Sequence, residues 1–258
     1  MAALATWMTE HAPERSALTS PLAGGVVALT GRGMYVNCAI AAALDEPLTG
    51  DDLDQLEALS AKLDVSSKVE ASKLSDPSVL PLLEERGYRP GETVRESLVQ
   101  NLVGATPTVE DNGFRIEIVE TAEQLTVWQG AAALGWGHDT TESRAASDLF
   151  AAGAHATQTP GLLLVRDGDD GRVVATSALS IHDGLAILGA MSTLPTERRR
   201  GVQQHCISHR LQLAVELGAA AASVQAAPGS ASLRNVQRES TGFIHSHTTT
   251  SWVLGDQS

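Results

Sequence analysis

The sequence predicts an α/β protein of the α+β type, in which strands and helices form two related halves. Two observations support this fold class. Segments that alternate apolar and polar residues, as strands do, are interspersed with segments that carry apolar residues at helical spacing. Each half also ends in a short helix followed by glycine, an aromatic residue and a terminal strand, as in Ser78–Tyr88 and Ser232–Phe243. We therefore predict an internal duplication.

The first half is predicted to read strand–strand–helix–strand–helix–strand after an N-terminal helix. Asp51 and Asp52 precede leucines at helical spacing, so a helix is expected to begin there. Pro77 suits the first position of the next helix, and Gly87 suits its left-handed terminus. The expected elements are a helix at 2–17, strands at 25–30 and 34–43, a helix from 51, a strand at 65–72, a helix at 76–87 and a strand at 94–102.

The second half follows residues 103–113, which lack apolar periodicity and are predicted to be a linker. Segments rich in Asp and Gly, at 167–171 and 182–184, are predicted turns between strands. The expected elements are a strand at 114–120, helices within 122–156, strands at 162–166, 173–181 and 186–192, an amphipathic helix at 201–217, a strand at 219–225, a helix at 232–240 and final strands within 242–254.

Composition and charge exclude several function classes. Apolar residues make up 43% of the 258-residue chain, which is typical of globular proteins. The net charge of −13 opposes binding to phosphate backbones and anionic lipid heads, so we expect neither nucleic acid nor membrane as a partner. No apolar run reaches the roughly 18 residues of a membrane span, and the N-terminal segment with Glu10 and Glu14 does not read as a secretory signal. Cys38 and Cys206 lie far apart, so we expect no metal and a cytoplasmic location.

One strand-to-helix junction in the second half has the clearest chemical signal. A predicted strand stops at Pro195, the turn reads Arg198-Arg199-Arg200-Gly201, and the amphipathic helix follows. The first amides of a helix have no acceptor within it and point outward at the positive end of the helix dipole. A pyrophosphate is a natural occupant of such a site, and Gly201 has no Cβ to keep a phosphate from the backbone. The alternative is a solvated basic turn.

This junction resembles the phosphate-binding motif of the GNAT superfamily of acyl-CoA-dependent N-acetyltransferases, Arg/Gln-x-x-Gly-x-Gly/Ala. Arg198-x-x-Gly201 matches, whereas Gln203 stands where the family has Gly or Ala. A second family element, Ser-x-Arg-Asn in a short helix before Gly-Phe, is matched by Ser232-x-Arg234-Asn235. The resemblance spans residues 114–254. It implies the GNAT fold, a mixed and mostly antiparallel sheet flanked by helices, in two tandem copies.

The resemblance also implies a co-substrate, acetyl-CoA or another acyl-CoA, and no metal. The pantetheine arm is expected to pair with the backbone of Ser192, Thr193 and Leu194. The pyrophosphate is expected on the amides of Arg199, Arg200, Gly201, Val202, Gln203 and Gln204. Asn235 and Ser232 are expected to face the pantetheine from the other side.

Catalytic residues are harder to assign. The family places a tyrosine acid in the helix before Gly-Phe, but this chain has only Tyr35 and Tyr88, both in the first half, and the strand at 185–193 has no glutamate base. A thiolate with a pKa near about 8.5 is a tolerable leaving group without an acid. The remaining candidates, for each of which a surface or packing role is the alternative, are His182, Asp183, His138, Asp139, His245 and His247. Trp136 is expected to be either a wall of the acceptor pocket or part of the core.

The corresponding junction of the first half has the opposite charge. Where the second half has Arg-Arg-Arg-Gly, this one reads Gly50-Asp51-Asp52. Either aspartate can cap the following helix and fill its amide site with negative charge. We therefore predict that no acyl-CoA binds to the first half.

We expect an N-acyltransferase that moves an acetyl or similar acyl group from acyl-CoA to a small amine or peptide acceptor, by direct attack in a ternary complex. The expected domains are a degenerate GNAT-like domain at 1–105, a linker at 106–113 and an acyl-CoA-binding GNAT domain at 114–258, with a homodimer as an open alternative for the assembly. Two other functions stay open. The missing tyrosine and glutamate leave room for a non-catalytic acyl-CoA-binding or regulatory protein, and an unrelated α/β binding protein is the third reading.

Overall fold

The computed structural model describes residues 2–238 and 241–255. Within them, residues up to Glu96 and from His247 onward form one compact unit, and Ser97 to Ser246 form another. This division differs from the predicted domains, because two long strands, Tyr88–Asn101 and Ile244–Leu254, each contribute to both units. The last two residues of the helix predicted at 232–240, and the chain ends at 1 and 256–258, lie outside the described residues.

The first unit follows the predicted order of elements after an unpredicted strand. The short strand at Leu18–Leu22 contains Pro21, and the sequence does not predict it because proline argues against a strand except at a sheet edge, where this strand lies. Pro77 precedes the helix at Val79–Glu85 instead of occupying its first position. The elements are α1 (Ala2–His11), a 3-10 turn (Pro13–Arg15), β1 (Leu18–Leu22), β2 (Gly25–Leu29), β3 (Asn37–Ile40), α2 (Gly50–Lys62), β4 (Lys68–Ser72), α3 (Val79–Glu85) and β5 (Tyr88–Asn101).

The second unit matches the predicted order closely up to its last element. The final segment forms one strand instead of several, and the linker at 103–113 contains no helix or strand. The elements are β6 (Phe114–Ile118), α4 (Ala122–Trp136), α5 (Thr141–Thr157), β7 (Pro160–Asp167), β8 (Val173–His182), β9 (Leu185–Thr193), a 3-10 turn (Pro195–Glu197), α6 (Val202–Glu216), β10 (Ala221–Ala226), α7 (Ala231–Val236) and β11 (Ile244–Leu254).

The strands of each unit form a mixed and mostly antiparallel sheet. The strand order is β1-β2-β3-β4-β11-β5 in the first unit and β5-β10-β9-β8-β7-β6 in the second. The pairs β1–β2, β2–β3, β7–β8 and β8–β9 are antiparallel. Both β3–β4 and β9–β10 are parallel, and a helix connects the two strands of each parallel pair. The same antiparallel meander, helix, parallel strand and helix thus occur in both units, which supports the predicted duplication.

Separate hydrophobic cores stabilise the two units. In the first, α2 packs Leu53 and Leu56 against the sheet, and Tyr88 is fully buried. In the second, Ile207 and Leu211 of α6 pack on one face of the sheet. The opposite face is covered by α4 and α5, whose buried residues pack with Leu162, Leu164 and Ala178 of the sheet. These cores fix α6 and α4 on opposite faces of β9, where the candidate site lies.

Candidate functional site

A cleft of about 890 Å³ opens in the second unit where β9 ends and α6 begins. Its walls are the end of α4, the end of β9, the start of α6 and the short helix α7. The lining residues are Gly135, Trp136, Met191, Ser192, Thr193, Glu197, Arg198, Arg199, Gly201, Val202, Gln203, Gln204, Ala231, Ser232, Arg234, Asn235 and Arg238.

The N-terminus of α6 faces this cleft without a side-chain cap. Gly201 precedes the helix with a φ of 82°, a left-handed conformation that strains other residues. Arg199 also has a positive φ, 68°, which is uncommon for a residue with a Cβ and concentrates at functional turns. The amides of Val202, Gln203 and Gln204 therefore have no intrahelical acceptor at the positive end of a 15-residue helix. The predicted phosphate turn thus presents three backbone amides to the cleft.

The pairing of β9 with its neighbouring strands changes beside the cleft. Its parallel pairing with β10 runs from Leu185 to Leu188 and stops there. Its pairing with β8 continues to Thr193, but the register shifts after Gly189, where Ala190 adopts a φ of 49°. This is a β-bulge, in which an extra residue bends one strand away from its neighbour. The edge of β9 from Gly189 to Thr193 is thus left unpaired on the β10 side.

The end of α4 packs closely against this part of β9. A Cβ on Gly135 would lie 1.9 Å from the Ser192 hydroxyl, so only glycine allows this approach. The indole nitrogen of Trp136 donates to the carbonyl of Met191 at 3.2 Å. Arg198 donates to the Gly135 carbonyl at 2.9 Å and so ties α4 to the turn. Trp136 is therefore part of the cleft wall, and its ring also packs against the buried ring of Trp128.

Gln203, the departure from the family motif, connects α6 to α7. Its side-chain amide donates to the Ser232 hydroxyl at 3.1 Å and accepts from Asn235 at 2.7 Å. Gln203 thus contacts both residues that were expected to face the pantetheine. A Gly or Ala at this position could not make either bond, so the larger side chain fixes the spacing between the two helices.

An ion-pair network stabilises the turn from behind. The Arg200 guanidinium donates to Asp167 at 2.9 Å and also to Glu197, and it lies 5.4 Å from the centre of the Phe114 ring. Arg172 contacts Asp167 at 3.2 Å and also Glu197. Both carboxylates are shielded, with side chains 6% and 7% exposed. Hydrogen bonds from these arginines lower the pKa of Asp167 and of Glu197.

Four other arginines border the cleft: Arg198, Arg199, Arg234 and Arg238. Within the described part of the chain, no carboxylate forms an ion pair with any of them, whereas Arg200 has two. Their positive charge is therefore available to a ligand, in a chain whose net charge is −13. The sequence indicated Arg198 and Arg199 in the turn and Arg234 in the Ser-x-Arg-Asn element, and the family resemblance placed Arg238 or a neighbour where the family has its tyrosine.

No protein-family model matches the sequence, and no curated protein matches it. Solved structures do match it. A GCN5-related N-acetyltransferase from Kribbella flavida aligns with a TM-score of 0.67 and 18% identity, over 98% of this chain and 95% of that one. A tandem GNAT protein from the clavulanic acid biosynthesis pathway aligns with a TM-score of 0.64 and 11% identity, over 91% and 79%. A GNAT-family protein from Novosphingobium aromaticivorans aligns with a TM-score of 0.54 and 18% identity, over 96% of both chains.

The chain has the GNAT fold. The fold class expected from the sequence is thereby confirmed. In this GNAT fold the predicted site residues come together with two exceptions. The amide of Leu194 donates to the carbonyl of Val174 at 3.0 Å, and Leu194 does not line the cleft. The Arg200 side chain is bound in the ion-pair network, and this residue does not line the cleft either.

The catalytic candidates lie at different distances from the cleft. His182 and Asp183 form the turn between β8 and β9, at the end of β9 opposite to the cleft. Eight residues of extended strand, about 26 Å, separate that turn from Thr193. His138 lies closer, with its ring 5.5 Å from the ring of Trp136. His138 thus contacts a residue of the cleft wall, although it does not line the cleft itself.

The remaining candidates add no metal site. His245 and His247 lie on β11, and Asp139 follows α4 as an exposed residue. Across residues 2–238 and 241–255, no group of three or more His, Cys, Asp or Glu side chains is arranged to hold a metal ion. In the same residues, no helix has both the length and the apolar character needed to cross a membrane.

The first unit builds its corresponding junction differently. Thr49 caps α2, and its hydroxyl accepts from the amide of Asp52 at 3.2 Å. The carboxylate of Asp52 accepts in return from the amide of Thr49 at 2.9 Å. This capping box satisfies the helix start with the chain's own atoms. The cap predicted at Asp51 or Asp52 is therefore shared between Thr49 and Asp52.

Proposed function

We propose that the protein is an N-acyltransferase that transfers an acetyl or similar acyl group from acyl-CoA to an amine. The observation that supports this proposal is the cleft at the start of α6. It brings together uncapped helix amides and four arginines that have no carboxylate partner among the described residues. A pyrophosphate is the ligand whose charge and oxygen atoms match such donors. The likeness to GNAT acetyltransferases supports acyl-CoA as the source of that pyrophosphate.

The proposed binding mode keeps most of the expected residues. The pyrophosphate lies on the amides from Gly201 to Gln204, and Arg199 adds charge at its side. The pantetheine arm lies along the unpaired edge of β9 beside Ser192 and Thr193. Ser232 and Asn235 face the arm across the cleft. Leu194 and Arg200 are omitted because neither lines the cleft, and the Arg200 side chain is held in the ion-pair network.

The proposed reaction needs no metal. The lone pair of a neutral primary amine attacks the thioester carbonyl, a C–N bond forms, and negative charge moves to the oxygen. When the electron pair on this oxygen re-forms the carbonyl double bond, the C–S bond breaks and CoA leaves as a thiolate. The nitrogen gives its extra proton to water or to a nearby base, for which His138, beside Trp136 of the cleft wall, is the candidate. Positioning and a backbone donor at the oxygen supply most of the rate enhancement.

Acyl-CoA binding is tested by titrating the protein with acetyl-CoA in a calorimeter. Arg199→Gln with Arg238→Gln removes two cleft charges, and we expect an affinity loss of about tenfold, from two partly exposed charge-assisted contacts. Arg115→Gln is the matched control, because Arg115 is exposed on β6 and does not border the cleft. The loss should shrink at high salt, where charges are screened. Equal affinities in the double variant and the control would contradict the phosphate assignment.

Transfer is tested separately from binding. Release of free CoA thiol is followed with acetyl-CoA against a panel of small amines, amino acids and peptides. We expect release above the hydrolytic background with at least one acceptor. Tight binding without release for any acceptor would refute the transferase and indicate the non-catalytic binding protein.

We further propose one acyl-CoA site per chain, with the first unit as a degenerate GNAT-like copy. Its capping box places the Asp52 carboxylate where an anion would have to bind. The cysteines Cys38 and Cys206 are both free, which suits the cytoplasm as the expected location. Saturation at one acetyl-CoA per chain is the calorimetric result expected, and two sites would refute the degenerate assignment.

A further inference from the structure

Arg210 is a buried arginine on α6, two turns beyond the start of that helix. Its side chain is 2% exposed and donates three hydrogen bonds, all to backbone carbonyls. Nε donates to Cys206, and Nη1 donates to both Ala178 and Gly189, each at 3.1 Å. No carboxylate of the described residues contacts it. Taking an unpaired charge out of water is costly, so a fold retains one where it has a role.

The carbonyls that Arg210 binds mark the point where β9 leaves the regular sheet. Ala178 and Gly189 face each other across β8 and β9, immediately before the register shift. Leu188, one residue earlier, is the last residue of β9 that pairs with β10. The bulge of β9, the end of its pairing with β10 and the contact with the buried Arg210 guanidinium therefore lie within two residues of one another. Arg210 supplies hydrogen bonds to carbonyls at a disrupted part of the ladder.

Arg210 lies behind the cleft, at about the same depth along β9 as the bulge. From Gln203, at the start of α6, seven residues of helix carry the chain back by about 10 Å to Arg210. From Thr193, four residues of strand carry it back by about 13 Å to Gly189. The two distances agree because α6 runs back along β9. A pantetheine arm that starts at the α6 amides and follows β9 would thus reach the bulge with its thioester.

We propose that Arg210 is a positioning residue for acyl transfer: it holds the bulge of β9 in place and sets a fixed positive charge beneath the thioester. This inference rests on the proposed function. Burial lowers the pKa of Arg210 to about 10, so the side chain remains protonated at neutral pH. A charge that no carboxylate neutralises stabilises negative charge on the thioester oxygen and on the departing thiolate. It therefore offsets the absence of a tyrosine acid in the second unit.

The test reads the polarisation of the bound thioester directly, so that it does not depend on the acceptor. Acetyl-CoA labelled with carbon-13 at the acetyl carbonyl is bound to the parent, to Arg210→Met, to Arg210→Lys and to Leu211→Ala, and its carbonyl resonance is recorded. Leu211→Ala is the matched control, since Leu211 is a buried neighbour on α6 that contacts the core and no bulge carbonyl. We expect a downfield shift in the parent and the control, a smaller one with lysine and the smallest with methionine.

Kinetics with the best amine of the acceptor panel supply a second measurement. We expect Arg210→Met to lower kcat by about tenfold, less than the loss of a direct oxyanion donor, because Arg210 acts through the backbone. The Kd of CoA should stay within about twofold, since the phosphate site is two turns away, and lysine should restore part of kcat. If the methionine variant does not fold, the lysine variant carries the test.

Two results would overturn the inference in distinguishable ways. If the parent binds and transfers acetyl groups but all four proteins give the same carbonyl shift, Arg210 has a structural role only. If the parent does not bind acetyl-CoA, the proposed function fails and the inference fails with it.

Discussion

Replacement of Gly135 by alanine probes the contact that positions α4 against the cleft. The added Cβ would lie 1.9 Å from the Ser192 hydroxyl, 3.2 Å from the Ser192 Cβ and 3.3 Å from the Thr193 carbonyl. Rotation of the hydroxyl relieves only the first contact, and Ser192 is 4% exposed, so there is little room for it. Overpacking of this kind costs about 1–3 kcal/mol. Alanine regains about 0.5–1 kcal/mol of helix propensity, which leaves a net destabilisation of up to about 2.5 kcal/mol.

The chain contains its own control on the same helix. Gly130 is exposed, and a Cβ there would meet no atom within 4 Å. Gly130→Ala should therefore stabilise the protein by up to about 1 kcal/mol, through helix propensity alone. Scanning calorimetry should show the Gly135→Ala transition lowered by up to about 10 °C, from about 2–4 °C per kcal/mol for a unit of this size, and the Gly130→Ala transition unchanged or raised.

A double-mutant cycle separates the contact from any general effect of the substitution. Ser192→Ala removes the hydroxyl that the new Cβ would meet, so Gly135→Ala should cost less by at least about 1 kcal/mol in that background. Equal melting temperatures for the two glycine variants, or full additivity with Ser192→Ala, would refute the close approach of α4 to β9.

Two further predictions concern the polar contacts around the cleft. Gln203→Ala should lower the free energy of unfolding by about 1 kcal/mol, because the bonds from α6 to Ser232 and Asn235 are lost; urea denaturation measures this, and no change would mean that the link is not formed in solution. The lowered pKa of Asp167 and of Glu197 predicts stabilisation that is complete above the pKa these groups have when unfolded, near about 4, and lost as the pH falls through their lower folded values. Melting temperatures between pH 7 and pH 3 should fall less steeply in Asp167→Asn, and parallel curves would contradict the network.

The sequence predicts most elements of the second unit, because their patterns are local. Strands at β7, β8 and β9 are apolar segments bounded by Asp- and Gly-rich turns, and α6 has strong helical periodicity. The predicted secondary structure is wrong where pairing with residues distant in the sequence determines the element. β1 is a short edge strand with a proline, and only its pairing with β2 makes it a strand. The end of β11 pairs with β4, nearly 180 residues earlier in the chain. A local sequence pattern cannot predict such a distant partner.

The candidate site likewise contains features that a local sequence pattern predicts and features that depend on distant residues. The phosphate turn was predictable because helix amides, glycine and arginines are adjacent in sequence. The bulge in β9 was not, since its sequence, Gly189-Ala190-Met191, reads as an ordinary strand. Arg210 gave no signal because a single arginine in an amphipathic helix is expected to reach solvent, and only the fold shows that it points into the sheet.

The three consecutive arginines of the turn show how neighbouring identical residues acquire different roles. Arg198 and Arg199 border the cleft, whereas the Arg200 side chain points to Asp167 and Glu197 behind it. A charge reversal at Arg200 would therefore break the network that holds the turn before it affected any ligand. Loss of acetyl-CoA binding in such a variant would not distinguish a missing phosphate contact from a misplaced turn. Arg199 is the informative position, because its side chain borders the cleft and has no ion pair with the described residues.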